Sequence, residues 1–195
     1  MRQVVALLLV LLLGSPAAAQ FSDSYNFLKA VRDRDGAGAK AILDKPGTTI
    51  VNTRDLSTGE TGLHIATRRK DPPWMGFLLT NGANPDIRDG QGELPITIAA
   101  GIGFTEGVRL LLAGRANVNA TNARGQTALF RAVQARDLET VKLLLERGAD
   151  PDMAEFQTGL SARDLAAQDP RAGPVARLLA DAPQRSKARV AGPSL

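Results

Sequence analysis

Between residues 127 and 149 apolar side chains fall at Leu129, Ala132 and Val133, pause across Ala135-Arg136-Asp137, and resume at Leu138, Val141, Leu144 and Leu145. Steps of three and four place such residues on one face of a helix. The stretch therefore predicts two short helices joined by a tight turn. Thr127 is placed to cap the first helix by accepting from an otherwise unpaired backbone N–H. Gly148 suits the left-handed residue that closes the second. Helices this short are marginal alone in water, so each must bury its apolar stripe against a neighbour.

The same pattern recurs along the chain. "GETGLHIAT" (59–67), "GELPITIAA" (92–100) and "GQTALFRAV" (125–133) align at a shift of 33, and "GLSARDLAA" (159–167) follows with one extra residue. The pairs Leu78-Leu79, Leu111-Leu112, Leu144-Leu145 and Leu178-Leu179 keep the same step. An earlier, degenerate unit has Ala30 in place of Ala66 and Ile42-Leu43 in place of the leucine pair. Five units result, at about 24–57, 58–90, 91–123, 124–156 and 157–182. The outer two read as caps, because each end of a stack faces water.

A period of 33 with an opening like Thr-Pro-Leu-His-x-Ala resembles the ankyrin repeat, and the resemblance covers residues 24 to 182. It implies an all-α solenoid of stacked helix-turn-helix units joined by hairpin loops, which recognises proteins through its hairpin tips and the concave face of its first helices. Ala66, Ala99-Ala100 and Ala132 fall where a larger side chain would force neighbouring units apart. Some positions depart from the pattern: Arg115 replaces the closing Gly, Leu94 the Thr, and Lys70 the Gly between helices. Gly114 is then expected to take the left-handed role in the third unit. In "DPPWMGFLL" (71–79) the Pro pair fits a first helical turn, whereas Gly76 weakens the helix it enters. Trp74 is expected to pack at the start of that helix.

The two ends read differently. Met1-Arg2-Gln3, the apolar run Val4 to Leu13 and Ala17-Ala18-Ala19 form the order of a secretory signal peptide, cleaved between Ala19 and Gln20. The run is too short for a lasting membrane anchor. This leader, the Ala- and Arg-rich composition and a likeness to short exported bacterial ankyrin-repeat proteins predict a periplasmic or secreted protein. With no Cys, the chain must hold together by packing alone. The final stretch "APQRSKARVAGPSL" has charge, Pro and Gly but no apolar period, and reads as a disordered basic tail over 183–195. Arg2, Arg185, Lys187 and Arg189 account for the whole formal charge of +4, so the folded body is neutral. That excludes the basic footprint of a nucleic-acid binder.

Candidate chemistry is sparse. Without Cys there is no thiolate nucleophile or sulfur-ligated metal. His64 is the single His, and the resemblance implies for it a structural hydrogen bond between neighbouring loops. "GIGFTEG" (101–107) lies between helices and lacks the Lys-Ser or Lys-Thr of a phosphate-gripping loop. "DIRDGQGE" (86–93) lacks the spaced ligands of a calcium loop. No catalytic, cofactor or metal residue is assigned.

What remains is a binding surface for an unidentified partner protein, on a chain expected to be monomeric. The tip candidates are Arg54, Leu56, Arg88, Asp89, Gln91, Asn122, Arg124 and Glu155. On the concave helix face they are Ile65, Arg68, Arg69, Ile98, Ile102, Arg131 and Gln134. An isoleucine strip rimmed by arginine has the composition of an interface centre. Two alternatives stand beside it: an envelope scaffold that touches anionic membrane through the basic tail, and a hydrolase built from carboxylates.

Overall fold

A computed structural model describes residues 16–46 and 49–183, with side chains from residue 23 onward. The core of the expected leader and the charged part of the tail lie outside the described residues. The expected cleavage point between Ala19 and Gln20 falls within the first helix of the uncut chain.

Among the described residues ten α-helices pair off in chain order: α1 (Pro16–Asp33) with α2 (Gly36–Leu43), α3 (Gly62–Arg68) with α4 (Pro72–Thr80), α5 (Pro95–Gly101) with α6 (Thr105–Ala113), α7 (Ala128–Gln134) with α8 (Leu138–Glu146), and α9 (Ala162–Gln168) with α10 (Gly173–Asp181). The first helices stack as α1, α3, α5, α7, α9, and behind them α4, α6, α8 and α10 stack as a second layer. A short 3-10 turn at Ile50–Asn52 packs against α1 and α2. Strand character among the described residues is confined to isolated bridges at the hairpin bases, such as Arg54 with Thr61 and Thr121 with Thr127. The chain is thus an all-helical repeat solenoid.

The core runs between the two layers as a continuous seam. Phe27, Leu63, Ile96 and Leu129 enter it from the first helices, and Met75, Leu78, Leu111, Leu144 and Leu179 from the second, all essentially inaccessible to solvent. Ala66, Ala99, Ala132 and Ala166 are sealed between successive first helices, which explains their size. Trp74 packs rather than projects: its ring meets Phe77 edge-on at 5.3 Å and 72°.

Helix ends follow local chemistry. Thr127 Oγ1 accepts from the Phe130 N–H at 3.2 Å, and Asp35, Asp71 and Asp137 cap the starts of α2, α4 and α8. Leu94 cannot accept in this way, and Thr97 substitutes from one turn on, its Oγ1 accepting from the Leu94 N–H at 3.0 Å. At the C-termini a paired bond recurs: Gly82 N–H to Leu79 O with Ala83 N–H to Leu78 O, and Gly148 N–H to Leu145 O with Ala149 N–H to Leu144 O.

In α6 this pair reads Arg115 N–H to Leu112 O and Ala116 N–H to Leu111 O. The left-handed residue is therefore Arg115, at φ 67°, not Gly114 as the sequence suggested, which stays at φ −76°. Gly114 is small for a different reason: a Cβ there would sit 2.7 Å from the side chain of Leu79.

The hairpin tips are tied to one another by backbone bonds. Gly90 N–H donates to Thr58 O at 2.8 Å, Ala123 N–H to Gly92 O at 3.0 Å, and Phe156 N–H to Arg124 O at 2.9 Å. Gly90 permits this approach, since a Cβ there would meet Thr58 O at 2.5 Å.

Candidate protein-binding surface

Each tip is built on a side chain that turns inward. Asp89 Oδ1 accepts from the N–H groups of Gln91 and Glu93, both at 2.9 Å. Asn122 Oδ1 does the same for Arg124 and Gln126, and Glu155 for Gln157 and Thr158. These three are 5%, 2% and 4% exposed. They hold the loops from within, and the expectation that they face a partner is corrected. A buried, unpaired backbone N–H is costly, so an acceptor in a tight loop is drawn to the loop's own donors. Asp55, not singled out from sequence, is the equivalent residue of the first tip, accepting from the N–H groups of Ser57 and Thr58. Its pKa is pushed far below the usual carboxylate range, first by the Ser57 hydroxyl and then by the Thr58 N–H. The Thr158 hydroxyl lowers that of Glu155 in the same way.

The outward side of the tips carries Arg54, Leu56, Arg88, Gln91 and Arg124, all exposed. Leu56 is 89% exposed. Arg54 and Arg88 are partly committed, donating to Gly59 O and Thr121 O. Phe156, overlooked in the sequence, is 74% exposed and lies over Gly125, whose absent Cβ would meet the ring at 2.6 Å. The apolar residue within "EFQTG" was its only signal.

On the inner helices Arg68, Ile102 and Gln134 are exposed, and Ile65, Arg69 and Arg131 are half-buried. Ile98 is only 5% exposed, so it is not part of an open strip. Arg68 bridges two acids, its Nε donating to Glu60 and its Nη2 to Asp89, each at 2.6 Å. Arg69 ties repeats together, reaching Asp71 and the carbonyls of Val31 and Arg32. Ile65 and Arg68, Ile102, and Arg131 and Gln134 are thus carried by α3, the end of α5 and α7, which stack in that order.

His64 is fully buried. Its Nδ1 accepts from the Thr61 N–H at 3.2 Å, leaving Nε2 to donate to Glu93 O in the next loop at 3.2 Å. Burial lowers its pKa, partly offset by that carbonyl. With both nitrogens engaged, the ring is a strut between repeats. The described residues line surface hollows, among them one of about 430 Å³ by Ser57, Glu60, Arg68 and Asp89 and one of about 380 Å³ by Leu145, Pro151, Leu178 and Pro183. The described residues contain no group of three or more His, Cys, Asp or Glu suited to a metal ion. No helix among them is long and apolar enough to cross a membrane.

Residues 63–155 match the family model described as ankyrin repeats (3 copies). The chain is similar to the probable 26S proteasome regulatory subunit p28 of Saccharomyces cerevisiae, with 32% identity over 129 residues that cover 65% of this chain and 56% of that protein. It is also similar to ANK repeat-containing protein nipk-1 of Caenorhabditis elegans, at 33% over 116 residues, covering 52% of this chain and 19% of that one. B-cell lymphoma 3 protein of Homo sapiens shares 37% over 106 residues, covering 52% and 23%. The chain thus spans 56% or less of the length of each. All three are eukaryotic, and the exported bacterial type expected from the leader, the composition and the likeness to bacterial proteins has no support among them.

Proposed function

We propose that the chain, whose residues 63–155 match ankyrin repeats, holds a partner protein on the surface formed by its hairpin tips and inner helices, without catalysis. The observation that carries this reading is the location of exposed apolar side chains. Of the five large ones among the described residues, Leu56 and Phe156 lie on tips and Ile102 on the inner helix face. Tyr25 and Leu138 are the others. Apolar side chains left in water beside arginine and glutamine are what an interface core recruits.

The test is site-specific photocrosslinking in cells with a benzophenone amino acid at Leu56, Ile102 or, as a control on the opposite layer, Lys142. Adducts from the first two positions and none from the third are expected. Adducts confined to Lys142 would move the binding face to the second helices.

The leader-like residues 1–19 support a periplasmic or secreted location as part of this proposal. N-terminal sequencing of the protein recovered from cells should begin at Gln20. Recovery of the intact Met1 terminus in the cytoplasm would overturn that location and leave the binding face untouched.

A further inference from the structure

The arginines of the inner helices are compensated by carboxylates, with one exception. Arg68 has Glu60 and Asp89, Arg69 has Asp71, and Arg163 has Asp152. Arg131 of α7 is in no ion pair among the described residues. In the repeat register it replaces an apolar side chain, standing where Ile65, Ile98 and Leu165 stand in the other units. Its guanidinium lies across Gly101 at the end of α5, where a Cβ would be 2.7 Å from Nη2 and 2.9 Å from Nε. Gly101 thus leaves the space in which the cation rests.

The seat is incompletely matched. Arg131 Nε is buried with no hydrogen-bond partner. Among the described residues Nη1 reaches only Gln126 Oε1, at a long 3.4 Å. The acids of the adjoining loops are engaged elsewhere. Glu93 accepts from Asn122 and Thr97, and Asp137 from Thr140 and Thr105. Beside Gly101, Ile102 is 38% exposed. Nε is closed to solvent, so the donors left for an incoming group are those of Nη1 and Nη2, and beside an apolar neighbour they match a carboxylate carried next to an apolar side chain, because its two oxygens fit two parallel N–H groups.

We propose that Arg131, seated over Gly101 and flanked by Ile102, is the subsite for an aspartate or glutamate of the partner, with the adjacent apolar residue of the partner on Ile102. This rests on the reading that the inner face receives the partner. The probe is a phage-displayed library of random dodecapeptides panned against the full chain.

Recovered peptides should pair an acid with an apolar residue. Changing that acid to its amide should weaken binding about tenfold on the unmodified protein and leave it unchanged on Arg131→Gln. Gly101→Ala moves the guanidinium without altering charge, and should weaken acidic peptides but not their amide forms. It carries the test by itself if thermal melts show that Arg131→Gln fails to fold. Peptides without an acid, an equal acid-to-amide loss on both proteins, or no selected peptide at all would overturn the subsite. Acid-independent binding that is abolished by Ile102→Glu would leave the inner face standing without the subsite. Binding that also survives Ile65→Glu with Ile102→Glu would remove the inner face itself.

Discussion

Arg115 holds a backbone conformation that favours glycine, at φ 67°, and among the described residues no hydrogen bond or ion pair of its side chain offsets this. Arg34 and Arg136 adopt similar angles, but their guanidinium groups reach Asp71 and Asp169 of the following repeat. Arg115→Gly should therefore raise stability by about 1 kcal/mol, read as a shift in urea midpoint, whereas Arg136→Gly forfeits a bridge and should gain less. His64 gives a second test at this scale. Burial holds its folded pKa below the ordinary value, so the unfolded chain takes up a proton first as pH falls. Stability linked to it is complete above about pH 6.5 and declines below, towards the folded pKa. The urea midpoint should fall between pH 7.5 and 5.5, and His64→Gln should abolish that fall over the same window.

At the scale of the element, α4 is the helix with room for improvement. Its Pro pair occupies the first turn, where a missing N–H is harmless. Gly76 lies further in, and a Cβ there would meet nothing within 4 Å. Gly76→Ala should stabilise the protein by about 1 kcal/mol in thermal melts. Ala99, sealed between α5 and its neighbours, is the opposite case: Ala99→Leu should destabilise by about 1 to 3 kcal/mol in the same measurement.

The helices themselves were legible in the sequence because apolar spacing and caps point the same way. Arg115 was misread because Gly is the commonest left-handed residue, and the contact of Gly114 with Leu79 spans two repeats and leaves no local trace. Asp89, Asn122 and Glu155 were misread for a related reason. A polar residue in a loop suggests exposure, while the N–H groups it serves belong to the backbone, which carries no letter of its own. Ile98 was misread because helical spacing gives the face a residue occupies and not its burial, and Phe156 was missed because its seat over Gly125 joins two loops far apart in sequence.

Across the whole molecule, side chains link successive repeats at the turns as well as in the core. Arg34 with Asp71 and Arg136 with Asp169 each cross a boundary. Exposed pairs of this kind add little individually, but they fix the register in which the apolar seam closes. The tip-to-tip backbone bonds have a mechanical consequence. Because Thr58 grips Gly90, Gly92 grips Ala123 and Arg124 grips Phe156, the loops form a rung-by-rung rail in place of four separate fingers. The amides of Gly90, Ala123 and Phe156 should exchange with deuterium as slowly as helix interiors, and rapid exchange would show that the loops move singly. A rail of this kind meets an incoming protein already shaped, so little chain entropy is lost at the moment of contact.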